Sequence, residues 1–394
     1  MSEGPLSGLL VVAIEQAVAA PLCTVRLADA GARVIKIERE GGETARHYDD
    51  AVKGTSAYFA WLNRGKESVV LDLKDHADLH LLFTMLEQAD VLVQNLVPGA
   101  LVRMGLTREV IAERFPRLIA VSINGYGQDT PYAPMRAYDM LVQAESGICA
   151  VTGTPETPSK IGVSAADIAT GMNAHAAILE ALIEREGSGR GKQIEVAMFD
   201  SMADWMAVPL LHHEHAGRET GRHGLSHASI YPYRPFECDD GALIIATQNN
   251  GEWKKLCENV LGRPELAVHP DFLTNALRVA NRASLDRELE PAFARLAVSE
   301  AITRLEAAGV AWGRYTEVRN LGAHPALRRV EVELADGQKV GMPRPAGRDA
   351  GFHPGPVPAL GEATQAIRAE FSPADAARQD GLAQRGTDRQ RTQS

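Results

Sequence analysis

Within the first 125 residues, short apolar runs alternate with helical stretches, and that alternation leaves few folds open. Residues 8–14 (GLLVVAI) form an apolar run with no polar interruption, the pattern of a parallel strand buried on both faces. The same texture returns at 32–38 (ARVIKIE), 69–73 (VVLDL), 90–94 (DVLVQ), 117–123 (RLIAVSI) and 194–196. Between these runs, 21–30 and 77–89 read as helices. Strands alternating with helices predict parallel βαβ units and a doubly wound, Rossmann-like α/β sheet. No GxGxxG follows the first strand, which argues against NAD or FAD bound in the usual mode.

At 394 residues the chain is long enough for two or three domains. The texture changes near residue 217, where GRETGRHGLSHASIYPYRPFECDDG suits a loop and then β structure. Helical segments follow over about 251–310. The expected organisation is a large domain over 1–216, a smaller α+β domain over 217–330, and a connector returning to the large domain over 331–394. Residues 340–360 carry five prolines and read as an extended connector, and the polar 381–394 as disordered.

The net charge of −10 argues against nucleic acid, which needs a basic face. No run approaches the roughly 20 apolar residues of a membrane span, and MSEGPLSG lacks the layout of a signal peptide. Cys23, Cys149, Cys238 and Cys257 show no CxxC spacing. That argues against zinc and a disulfide framework, and predicts a soluble protein of the reducing cytoplasm. The HHEH at 212–215 is not a zinc pattern, and no metal is expected.

The clearest long helix covers 164–186, with Met172, Ile178, Leu179, Leu182 and Ile183 at helical spacing. Ser164 followed by Asp167 resembles a capping box, where a carboxylate stabilises the helix macrodipole.

The stretches 6–40, 62–74 (LNRGKESVVLDLK), 89–107 (ADVLVQNLVPGALVRMGLT), 121–129 (VSINGYGQD), 137–153 (AYDMLVQAESGICAVTG), 164–182 and 358–367 (PALGEATQAI) resemble, in order and spacing, the class III CoA-transferases. This is the family of formyl-CoA transferase and carnitine CoA-transferase, and the resemblance runs from Leu6 to about Phe371. It implies an enzyme of class EC 2.8.3.-, with acyl-CoA and a free carboxylic acid as substrates and Asp167 as the catalytic carboxylate. In that chemistry the carboxylate attacks a thioester, and a mixed anhydride and an aspartyl-CoA thioester follow. By the same resemblance Arg39, Lys74, Arg103 and Arg136 hold the CoA phosphates. Leu71, Asn95, Leu96, Ala100 and Met104 pack and hydrogen-bond its adenine and pantetheine. The resemblance also implies interlocked homodimers.

The family includes α-methylacyl-CoA racemases, whose catalytic histidine position is Tyr138 here. Tyrosine, ordinarily titrating near 10, is a poor base at neutral pH. Asp139 beside it is expected either as a further active-site carboxylate or as a structural hydrogen-bond acceptor. Val18 falls where formyl-CoA transferases carry glutamine, and GRHGLSHAS (221–229) replaces their glycine-rich flap. Both departures argue against oxalate or formate. Arg222, His223 and His227 in this replacement suit a second carboxylate on the acyl group, although histidines in such a loop also simply pack it. The stretch looks like that of mesaconyl-CoA C1–C4 transferases and itaconate- or succinyl-CoA-linked relatives, which implies C4 or C5 dicarboxylic acids. A racemase, an intramolecular C1–C4 transfer and a CoA-binding protein without chemistry are the competing readings.

Overall fold

The computed structural model describes residues 4–372. The stretch 381–394, expected to be disordered, lies outside them. Two compact units divide the chain: one runs to Ile148, takes up Ile161–Ala207 and resumes at Arg328; the other holds Cys149–Lys160 and Val208–Leu327.

The first unit is built on six strands: β1 (Leu10–Ile14), β2 (Arg33–Glu38), β3 (Lys66–Val70), β4 (Val91–Gln94), β5 (Ile119–Asn124) and β6 (Gln193–Ala197). They lie in the order β3-β2-β1-β4-β5-β6, each pair parallel. Alternation along each strand sends Val12, Ile35 and Leu92 to one face and Val11, Val34 and Val91 to the other. Helices α1 (Ala19–Asp29), α2 (Ala57–Asn63), α3 (His76–Gln88), α4 (Ala100–Arg103), α5 (Arg108–Arg114), α6 (Asp139–Glu145), α7 (Ile148–Val151) and α8 (Ala165–Ser188) follow in chain order. Residues of α3 and α5 cover the Val12 face; those of α1 and α8 cover the Val11 face.

Three elements depart from the sequence expectation. Strand β3 lies three residues earlier than 69–73, because its first half is polar yet buried: Lys66 and Ser68 point at Glu15 and Glu38. The buried stripe of α8 is made of small residues such as Ala166, Ala174 and Ala181, while Met172 and Ile183 are exposed. Small residues let α1 come close. A Cβ on Gly171 would stand 2.5 Å from the Ala19 carbonyl oxygen. Finally, the connector read at 340–360 begins as a strand, β11 (Lys339–Pro343), paired antiparallel with β10 (Arg329–Glu333).

The second unit has an antiparallel sheet of β7 (Tyr233–Cys238), β8 (Gly241–Ala246) and β9 (Ala311–Gly313). Helices close its own core around Phe236, Leu243, Trp253, Leu289 and Phe293. No helix among the described residues is long and apolar enough to cross a membrane.

Candidate active site

In a doubly wound sheet of this order, ligands bind outside the carboxyl ends of the strands where the winding reverses, here between β1 and β4. The chain leaves β1 through a turn held from two sides. Gln16 donates its N–H to Asn95 Oδ1 (2.9 Å), and Asn95 Nδ2 donates to the Gln16 carbonyl (2.8 Å). Ala17 takes a left-handed backbone (φ 64°), unusual for a residue with a Cβ, and donates its N–H to Glu43 Oε2 (2.7 Å). Val18, buried, follows as the N-cap of α1, in an apolar cluster against which Ile168 of α8 packs. The turn and the start of α8 are thereby joined.

Asp167 is the third residue of α8 and half-buried. Ser164 occupies the N-cap but makes no capping hydrogen bond, so the expected capping box is absent. The cap comes from α6 instead. Asp139 Oδ1 accepts the N–H of Ala166 (2.8 Å) and, at 3.5 Å, that of Asp167. Asp139 Oδ2 accepts from Gln143 Nε2 (2.8 Å). Burial, and then the Asp139 charge, push the Asp167 carboxyl up to about 7. A helix N-terminus favours a carboxylate by only about 0.3–1 kcal/mol. Each pH unit is worth about 1.4 kcal/mol, so burial and the like charge prevail. A carboxylate of raised basicity is a better nucleophile, while remaining largely ionised slightly above neutrality. Tyr138, the N-cap of α6, is exposed.

The residues expected to hold CoA all follow carboxyl ends of strands: Arg39 after β2, Leu71 and Lys74 after β3, Asn95 to Met104 after β4, and Arg136 after β5. Arg39, Lys74, Arg103 and Arg136 are exposed, and among the described residues none is held by a carboxylate. Arg39 Nε donates to the Gly42 carbonyl (2.8 Å) and Arg103 reaches the Pro98 carbonyl (3.4 Å). Four other arginines of the same unit are paired: Arg33 with Glu67, Arg46 with Glu38, Arg64 with Asp29, Arg185 with Asp90. Four unpaired cations at the strand ends of an acidic chain suit a polyphosphate ligand such as CoA. Leu96 and Ala100 line a cavity of about 240 Å³ that Ala120 and Ser122 bound from β5. Met104 caps α4 and is half-buried. Leu71 fits less well: its side chain is in the core and its N–H is bonded to the Glu38 carbonyl. Asn95 spends its amide on Gln16, so it shapes the turn.

In the second unit, Arg222 ties its loop down, donating to the carbonyls of Thr154 (2.9 Å), Pro155 (2.8 Å) and Ala150 (3.3 Å). His227 stacks on Tyr233 (centroids 5.4 Å apart) and its Nδ1 accepts from the Ser229 N–H (3.0 Å), which leaves Nε2 to donate when the ring is neutral. Burial, then Arg282, lower the titration of both His223 and His227. Arg282, which sequence reasoning missed, donates to Ser226 Oγ (3.1 Å) and to the carbonyls of His227 and Ala228 (both 2.7 Å). Of the HHEH run, His213 meets Glu219 and His212 meets Arg218. Among the described residues no group of three or more metal-ligating side chains is assembled.

Also unforeseen is a buried ionic cluster beneath the β1 turn. Glu15 holds Lys66 Nζ (2.6 Å) and Lys36 Nζ (3.3 Å), Lys36 reaches Glu43 (2.9 Å), and all four side chains are buried. Its members lie far apart in sequence, so no local pattern announces it.

A family model for CoA-transferase family III matches residues 6–364. The acetyl-CoA:oxalate CoA-transferase of Acetobacter aceti is 36% identical over 380 residues, covering 95% of this chain and 97% of that one. The succinyl-CoA:mesaconate CoA-transferase of Haloarcula hispanica is 35% identical over 296 residues, covering 73% and 74%. The crystal structure of a CAIB/BAIF family protein from Brucella suis superposes with a TM-score of 0.79 at 34% identity, covering 94% of this chain and all of that one.

Proposed function

Because the chain belongs to CoA-transferase family III, we propose that it moves CoA between dicarboxylic acids, with Asp167 as the covalent nucleophile. The observation that carries this reading is the half-buried Asp167 carboxyl, raised to about 7, at the first turn of α8.

An Asp167 oxygen attacks the donor thioester carbonyl; the C–S bond breaks, CoA thiolate leaves, and a mixed anhydride forms. The thiolate then attacks the Asp167 carbonyl carbon of the anhydride, releasing the donor carboxylate and leaving an aspartyl-CoA thioester. The acceptor carboxylate attacks that thioester, expelling CoA thiolate again. The thiolate takes the acceptor acyl group and Asp167 is regenerated. The acyl activation is conserved throughout, so no ATP is consumed. Arg39, Lys74, Arg103 and Arg136 hold the CoA phosphates, and Leu96, Ala100 and Met104 its less polar parts.

The relatives named above act, by name, on acetyl-CoA and oxalate and on succinyl-CoA and mesaconate, so that each takes a dicarboxylic acid as one partner. We read the physiological pair as C4 or C5 acids, the class implied by the loop that carries His223 and His227. The oxalate relative keeps the shortest dicarboxylic acid in play, although Val18 stands where formyl-CoA transferases carry glutamine. Tyr138 at the racemase histidine position argues against α-proton exchange. We read the assembly as a homodimer, since the helix Ala207–Ala216 buries none of its residues yet carries Val208, Leu210 and Leu211. All four cysteines are free, and the cytoplasm is the setting we propose.

The test offers succinyl-CoA with mesaconate, itaconate, malate, oxalate or carnitine in turn, and mesaconyl-C1-CoA alone, reading CoA esters by mass spectrometry. A new ester of a C4 or C5 dicarboxylic acid is the expected result. Transfer to carnitine alone would overturn the dicarboxylate reading. Isomerisation of mesaconyl-C1-CoA without free acid would replace it with intramolecular transfer.

A further inference from the structure

Resting on Asp167 as the nucleophile, we infer that Gln143 is a positioning residue for the reaction: its side-chain amide locks the Asp139 carboxylate onto the first turn of α8 and so fixes where Asp167 stands. Gln143 is fully buried on α6, and a buried amide must find partners for each of its polar atoms. It finds them on two pieces of chain. Nε2 donates to Asp139 Oδ2 (2.8 Å) and, more weakly, to the Val163 carbonyl (3.4 Å). Oε1 accepts the Ile161 N–H (2.8 Å). One side chain thus ties α6 to the segment that enters α8.

The consequence falls on Asp139. With Oδ2 on Gln143 and Oδ1 on the α8 amides, both Asp139 oxygens are directed to donors of the protein itself. Asp139 therefore acts through Asp167, in two ways: it caps the helix that carries the nucleophile, and it sets a fixed negative charge beside it. Asp139 is the one charged group among the described residues that bears on the Asp167 titration, and no cation opposes it there. If the amide were lost, the Asp139 carboxylate would be free to swing away, and both the helix start and the charge would lose their place. Ser164 offers no substitute cap.

The test uses the full-length protein carrying Gln143→Met, Gln143→Leu or Asp139→Asn, with the Asp167 carboxyl titrated by carbon NMR of aspartate labelled at the side-chain carboxyl. The Asp167 signal is assigned by its loss in Asp167→Asn. In parallel, the pH profile of transfer from succinyl-CoA is recorded. Asp139→Asn is expected to move the Asp167 titration, and the acid limb of kcat/KM, down by about one pH unit. Gln143→Met should move both in the same direction by about half as much. It should also lower kcat about tenfold while leaving KM for succinyl-CoA within about twofold. If Gln143→Met does not fold, Gln143→Leu decides, since it too fills the space without an amide to donate to Asp139. A folded Gln143 variant with unchanged Asp167 titration and pH profile overturns the inference, even if its turnover is lower, because a merely structural role leaves both in place. The nucleophile reading fails separately, if Asp167→Asn still transfers CoA.

Discussion

Two groups of charged side chains in the first unit, one buried and one half-buried, behave in opposite ways. In the cluster beneath the β1 turn, each carboxylate meets a cation: Glu15 meets Lys66 and Lys36, Glu43 meets Lys36, and Glu38 meets Arg46. At the start of α8, Asp139 and Asp167 face each other with only amides between them. Burial alone would raise every one of these carboxyls. For Glu15, Lys66 and Lys36 overcome burial and its titration falls below the ordinary range. For Asp167 the only charged neighbour is a second carboxylate, and its titration rises. Burial is common to both, and the sign of the neighbouring charge decides the outcome. The paired cluster holds the β1 turn through Glu43, whereas the like-charged carboxylates leave Asp167 with a raised titration.

That contrast can be broken at either end. The largest effect is expected from Asp167→Asn, which removes the nucleophile. Transfer between CoA esters should fall by about 10⁴-fold or more, with the circular dichroism spectrum unchanged. Next in size is Lys66→Met, which leaves one buried carboxylate without a counter-charge. Urea unfolding should show a loss of about 3–5 kcal/mol. Adding Glu15→Gln to Lys66→Met restores the charge balance and should recover most of it. A loss in the double variant as large as in the single one would mean that packing, and not charge balance, governs the cluster.

The third effect is smaller and of opposite sign. Asp167 holds its proton more tightly in the folded chain than in the unfolded one. Its contribution to stability is therefore full at low pH and is lost as pH rises from the ordinary carboxylate range to about 7. Asp167→Asn should stabilise the protein by roughly 2 kcal/mol at pH 8, with the gain shrinking toward pH 4. Urea unfolding at both pH values measures it, and a gain independent of pH would show that Asp167 is not held above its ordinary titration.

How far these features were legible differed with their physics. The apolar runs at 8–14, 32–38, 90–94 and 117–123 announced β1, β2, β4 and β5 because strands buried on both faces need side chains without polar atoms. The run at 69–73 misled, because Lys66 and Ser68 are polar residues buried by partners from β1 and β2, and hydropathy reads only apolar burial. In α8, Met172 and Ile183 suggested the buried stripe, but close approach to α1 selected alanine and glycine instead. Asp167, Asp139 and the cations Arg39, Lys74, Arg103 and Arg136 were singled out by resemblance to a family. Nothing in their spacing showed that Asp139 would cap α8. Gln143, Arg282 and the Glu15 cluster carried no signal at all.

By itself the sequence determined the parallel α/β class of the first unit and the helix that carries Asp167, because hydrophobic period and strand length are local properties of the chain. Which charges are paired was decided only by the tertiary structure. Lys66 reaches Glu15 across 51 residues and Asp139 reaches Ala166 across 27, and a buried carboxyl takes its reactivity from whatever charge the fold sets beside it.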